Sequence, residues 1–132
     1  MNSTPRRVLI VEDSPAMRQL LTLAMKRFPD IAIDHAADGV AALRVLQSAE
    51  HGPYHLVLLD LNMPLMDGMK FLAKIRELGI SDTTTICVVT TEESEETELR
   101  AKALGAKYFI RKPVNRRIVE NVLHEVFGPP LS

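Results

Sequence analysis

Short apolar runs alternate with stretches of helical period along the whole chain, five of each in 132 residues, and this order leaves few folds to choose from. A short strand that is apolar throughout has to be covered on both faces, which happens when helices pack on either side of a parallel sheet. Parallel neighbours need crossover connections, and the helical stretches supply them in the right-handed sense that such units take. The expected fold is therefore α/β, a doubly wound five-stranded parallel sheet with five helices, in one domain over residues 1–132.

The runs can be placed. Val8 to Val11 is the first strand, and Ser14-Pro15 then offers an N-cap with proline at the first helical position, ahead of Met17, Leu20, Leu21, Ala24 and Phe28 on one face. Ile31 to Ala36 is the second strand, Asp38 caps a helix carrying Ala42, Leu43 and Leu46, and His51-Gly52-Pro53 ends it. Leu56 to Leu59 is the third strand, and Asp67 caps a helix with Phe71, Leu72 and Ile75. Thr85 to Val89 follows, then a helix opened by Ser94, containing Leu99, Ala103 and Leu104 and stopped by Gly105. Tyr108 to Ile110 is the fifth strand, and Asn115 starts a last helix that Gly128-Pro129-Pro130 breaks.

Composition narrows the function. A net charge of -1 with 25% charged residues lacks the basic excess of a nucleic-acid binder, so no nucleic-acid partner is expected. No apolar run approaches the roughly 18 residues of a membrane span, the start MNSTPRR has no apolar signal core, and the single cysteine makes no internal disulfide. A cytoplasmic protein with no membrane contact is expected.

Parallel strands would bring Glu12, Asp13, Asp60, Thr90 and Lys112 to one edge of the sheet, because each falls at or just past the carboxyl end of a strand. That edge is where ligands bind in open α/β sheets. Carboxylates crowded together raise each other's pKa unless a cation sits among them, and oxygen ligands suit Mg²⁺, with Mn²⁺ an acceptable substitute. A lysine and a hydroxyl opposite such an ion match the oxygens of a phosphoryl group. A buried strand ending on a charge, as VLLD does, is costly unless that charge carries chemistry. Taken singly, Lys112 and Thr90 read equally well as surface residues; the convergence lifts them.

The segments VLIVEDS, LLDLNMPLMDG, VVTTE and YFIRKPV, in this order and spacing, resemble the receiver domain of two-component response regulators, closest to the stand-alone chemotaxis type. The resemblance covers about Arg6 to Phe127, a core of about residues 6–127. It implies the flavodoxin-like strand order 2-1-3-4-5. It also implies that Asp60 is the phosphoacceptor, taking a phosphoryl group from a sensor histidine kinase or histidine phosphotransfer protein. Glu12 and Asp13 resemble the acidic pair that holds Mg²⁺, together with Asp60 and the backbone carbonyl of Asn62. Lys112 is similar to the lysine that pairs with the phosphoryl group, and the Lys112-Pro113 bond would be cis. Thr90 corresponds to the switch hydroxyl and Phe109 to the aromatic that moves with it. The changing face, and so the docking site of a downstream protein, would be that of helix four, strand five and helix five. The phosphate lifetime would depend on Asn62 and Glu92, which flank the approach of water, with Thr91 the one feature that slows it.

The implied function is a phosphorylation-switched signalling protein, a phosphoacceptor that assists its own phosphorylation and dephosphorylation and is otherwise no enzyme. Two other readings remain open: a receiver fragment of a longer transcriptional regulator, and a Mg²⁺-dependent aspartyl-phosphate hydrolase, whose second acid would stand where Asn62 is. Elsewhere the expectations are structural. Cys87 is a small core residue, the histidines at 35, 51, 55 and 124 lack ligand spacing, and the acidic run Thr91 to Glu98 is a solvated helix start favoured by the helix dipole. Arg111, Arg116 and Arg117 form a solvated face.

Overall fold

A computed structural model of the chain describes residues 6–48, 53–62, 68–91 and 94–129. The elements run β1 (Arg6–Val11), α1 (Pro15–Met25), β2 (Ile31–Ala36), α2 (Gly39–Gln47), β3 (Leu56–Asp60), α3 (Gly68–Glu77), a short 3₁₀ turn (Ile80–Asp82), β4 (Thr85–Thr90), α4 (Glu95–Ala103), β5 (Tyr108–Arg111) and α5 (Arg116–Phe127). All paired strands are parallel, in the order β2-β1-β3-β4-β5. The flavodoxin-like α/β expectation is met.

Alternation along the strands sorts the side chains into two cores, one on each face of the sheet. Val8, Ile10, Leu56, Leu58, Cys87, Val89 and Ile110 meet Leu21, Ala24 and Met25 of α1 and Val119 and Leu123 of α5. Leu9, Val11, Val57, Leu59, Ile86 and Val88 meet Ala42 of α2, Phe71, Leu72 and Ile75 of α3, and Ala101 of α4. Each fully buried Val, Leu, Ile, Phe or Met among them is worth about 1.5–3 kcal/mol over its exposed state, so the two layers hold the strands in register.

Local capping chemistry places the helices. Ser14 accepts from the Met17 N–H, Asp38 from Ala41, Ser94 from Glu96 and Thr97, and Asn115 from Ile118, each satisfying an orphan donor of the first turn. Glu95, Glu96 and Glu98 sit in the first turn of α4, where the dipole favours them. Gly105 follows α4 at φ 105°, a conformation that favours glycine.

Several boundaries differ from the sequence reading. β1 begins at Arg6 instead of Val8, because Arg6 and Arg7 pair with Ile31 and Ala32 of β2. Phe28 lies beyond the end of α1, yet is buried against the same core. α2 ends at Gln47, with Ser48 as its C-cap, ahead of the expected break at 51–53. Asp60 and Thr90 are the last residues of β3 and β4 and Arg111 the last of β5, one ladder position further than expected in each case. Leu104 is the C-cap of α4, and Leu99 is 66% exposed. The caps and breaks expected at Asp67, His51-Gly52 and Pro130 fall outside the described residues.

Register then determines the functional edge. Val11 stands opposite Leu59, Asp60 opposite Val89, and Thr90 opposite Arg111. The residues that follow, Glu12 after β1 and Lys112 after β5, therefore emerge beside Asp60 and Thr90.

Candidate functional site

Asp60 ends β3 with its side chain buried, and each carboxylate oxygen is engaged by a donor. The Asn62 N–H donates to Oδ1 at 2.8 Å, and Lys112 Nζ lies 3.2 Å from Oδ2. Glu12 is also buried; its Oε2 accepts from the Asp13 N–H at 3.1 Å and its Oε1 is 4.0 Å from Lys112 Nζ. Asp13 is exposed at the rim, and ligand oxygens of Glu12, Asp13 and Asp60 all lie within 4.8 Å of one another.

This crowding has a proton cost. Burial first, then the hydrogen bond and charge of Asp60, with a smaller push from Asp13, raise Glu12 from its ordinary 4.5 to about 8, against the opposing pull of Lys112. Among the protein's own groups, Lys112 alone does not balance the three acids. An all-oxygen donor set with one exposed member suits a hard divalent cation that keeps part of its water shell, so the residues present fit Mg²⁺ or Mn²⁺.

Thr90, fully buried, and Thr91, exposed, close the site from β4. Both reach the side chain of Asn62: Oδ1 accepts from the Thr91 N–H at 3.0 Å, the Thr91 hydroxyl at 3.3 Å and the Thr90 hydroxyl at 3.4 Å. A backbone N–H can only donate, so the atom it meets is the amide oxygen and the orientation of Asn62 follows. The Lys112 N–H donates to the Thr90 carbonyl at 2.8 Å, and the Lys112-Pro113 peptide is cis as expected. Phe109 is half-buried against the core that holds α3 and α4.

The structure thus brings together Glu12, Asp13, Asp60, Asn62, Thr90, Thr91 and Lys112. Phe109 stands apart on its strand, and Glu92 lies outside the described residues. One participant is not legible from the sequence. Gly68 packs so closely that a Cβ there would meet Leu61 Cδ2 at 2.5 Å and Leu61 Cα at 2.8 Å, so the start of α3 lies directly against the residue that follows Asp60. Thr91, expected to bear on the phosphate lifetime, also bonds Asn62 through its hydroxyl. Cys87 is buried within β4, and burial pushes its thiol up to about 12, which leaves it inert as a nucleophile.

The model of the response regulator receiver domain family matches residues 8–124. The chain belongs to that family. Among relatives of this receiver domain, a protein-glutamate methylesterase/protein-glutamine glutaminase 2 of Koribacter versatilis is 36% identical over 131 residues, 97% of this chain and 35% of that protein. The chain thus spans about a third of the length of that relative. A probable chemotaxis protein CheY of Rhizobium etli is 31% identical, with 92% of each chain covered. Among solved structures, chemotaxis response regulator CheY4 of Vibrio cholerae superposes with a TM-score of 0.82 at 32% identity, covering 94% of this chain and all of that one. The Mn²⁺-bound form of response regulator Rcp1 gives 0.82 at 28% identity, covering 97% and 99%. Among the described residues of this receiver domain, no helix is long and apolar enough to cross a membrane.

Proposed function

We propose that residues 1–132 act as a single receiver that takes a phosphoryl group on Asp60 from a histidine kinase or histidine phosphotransfer protein and changes its partner-binding face in response. The observation that carries this reading is the position of Asp60, a buried strand-end carboxylate 3.2 Å from Lys112 and in reach of Glu12 and Asp13. An oxygen of Asp60 attacks phosphorus, the O–P bond forms as the N–P bond to the donor imidazole breaks, and the imidazole leaves with the electron pair and takes up a proton.

Glu12, Asp13, Asp60 and the Asn62 carbonyl would hold Mg²⁺, which when bound neutralises charge on the carboxylates and phosphoryl oxygens. The chain's own groups do the rest. Lys112 turns from the Asp60 carboxylate to a phosphoryl oxygen, and the Thr90 hydroxyl donates to another. Withdrawal of Thr90 makes room for Phe109 to move inward, and the face of α4, β5 and α5 changes shape. A downstream protein reads that face in a cytoplasmic signalling chain.

A second reading, in which the receiver controls an attached effector, is supported by the methylesterase relative, of which the match covers 35%. The phosphatase-like hydrolase is disfavoured by Asn62 in place of a second acid, with its amide oxygen engaged by Thr91.

Beryllofluoride with Mg²⁺ presents a tetrahedral array like that of a phosphoryl group, and tests the reading by amide chemical shifts. Perturbations are expected around Asp60 and along α4, β5 and α5. Shifts limited to the surroundings of Asp60 would contradict the switch.

A further inference from the structure

Asn62 Oδ1 has more suitors than lone pairs. A carbonyl oxygen offers two, and here three donors converge on it: the Thr91 N–H at 3.0 Å, the Thr91 hydroxyl at 3.3 Å and the Thr90 hydroxyl at 3.4 Å. The N–H contact has ordinary length, while both hydroxyl contacts exceed the roughly 2.8 Å usual for O–H···O, as expected of two hydroxyls sharing one remaining lone pair. Both hydroxyl bonds are accordingly weak, and the one from Thr90 to Asn62 is surrendered at little cost.

We infer that Thr91 is a positioning residue for the switch: its hydroxyl competes with that of Thr90 for Asn62 Oδ1 and so keeps Thr90 ready to turn to the phosphoryl group. Without the Thr91 hydroxyl, the lone pair goes wholly to Thr90. The Thr90–Asn62 bond then shortens and strengthens, and the buried hydroxyl is held in the resting position. The exposed Thr91 thereby sets how readily a residue it does not replace can move, through one shared acceptor between the β3–α3 and β4–α4 connections. This rests on the proposed role of Thr90 as the group that moves to the phosphoryl oxygens.

The test is the affinity for beryllofluoride in the presence of Mg²⁺, read by titration of amide shifts in the wild type, Thr91→Val, Thr91→Ser, Asn62→Ala and Asn62→Ala/Thr91→Val. Valine keeps the shape and the N–H but removes the hydroxyl, and should weaken binding about three- to tenfold, the range of one hydrogen bond's worth. Serine restores the hydroxyl and should bind like the wild type. With the acceptor gone in Asn62→Ala, adding Thr91→Val should change affinity by less than about twofold, because coupled residues lose their interaction together. Unchanged or tighter binding in Thr91→Val overturns the inference, as does an equal loss in the Asn62→Ala background or a failure of serine to restore binding. A wild type that takes no beryllofluoride at all is a different result: it removes the phosphoacceptor reading and this inference with it.

Discussion

Lys112 Nζ lies 3.2 Å from Asp60 Oδ2 and 4.0 Å from Glu12 Oε1, so one cation reached from the end of β5 serves two buried carboxylates from β3 and the end of β1. Its nearer partner is the proposed nucleophile, so its charge stands where the oxygens of a phosphoryl group on Asp60 would be.

Replacing Lys112 by methionine keeps the aliphatic stem and removes that charge. The rate of labelling by acetyl phosphate with Mg²⁺ should fall on the order of 100- to 1000-fold, the effect of removing one preorganised electrostatic partner. Arginine, with a different reach and a planar head, should recover only part of the rate. Intact-mass time courses decide; methionine labelling at the wild-type rate would remove Lys112 from the reaction.

The raised Glu12 carboxyl gives the protein a pH-dependent stability. Its folded value of about 8 stands above the ordinary 4.5, so between the two the folded state holds a proton that the unfolded state has released. Stability with respect to this group is complete below the ordinary value and falls as the pH rises toward about 8. In chelator-treated protein, urea unfolding should show this decline, and Glu12→Gln should flatten it. An equal slope in the variant would show that other groups set it.

Gly68→Ala should destabilise the fold by about 1–3 kcal/mol, because the added Cβ meets the backbone of Leu61 as well as its side chain, and overpacking against backbone has no easy relief. The strain falls one residue after Asp60, so labelling should slow as well. Urea midpoints and labelling rates in the same sample test both halves.

Much of this was written locally. The N-caps Ser14, Asp38, Ser94 and Asn115 were legible because a capping side chain serves donors two or three residues away. The convergence of Glu12, Asp60, Thr90 and Lys112 was legible because parallel strands share one carboxyl edge. What escaped depends on contacts between distant segments. β1 starts at Arg6 only because β2 lies beside it, and Phe28 reaches the core from beyond its helix. Gly68 matters only once α3 is set against Leu61, and Thr91 meets Asn62 across 29 residues of sequence, a distance that no local pattern encodes.

The phosphate lifetime should respond to Asn62. Its Oδ1 is already engaged by Thr91, which leaves the Nδ2 donors as the part of the amide able to hold a water near the phosphoryl group. A lifetime of seconds to minutes is expected, and Asn62→Lys should lengthen it about tenfold by excluding that water. Phosphate release after removal of the donor measures it; an unchanged lifetime would assign the reset to other groups.

The most direct measurement is the mass of the protein after incubation with acetyl phosphate and Mg²⁺, in the wild type and in Asp60→Asn. The wild type should gain a single phosphoryl group, the gain should vanish when a chelator removes the cation, and Asp60→Asn should gain none. Undiminished labelling of Asp60→Asn would contradict the assignment of Asp60 as the phosphoacceptor.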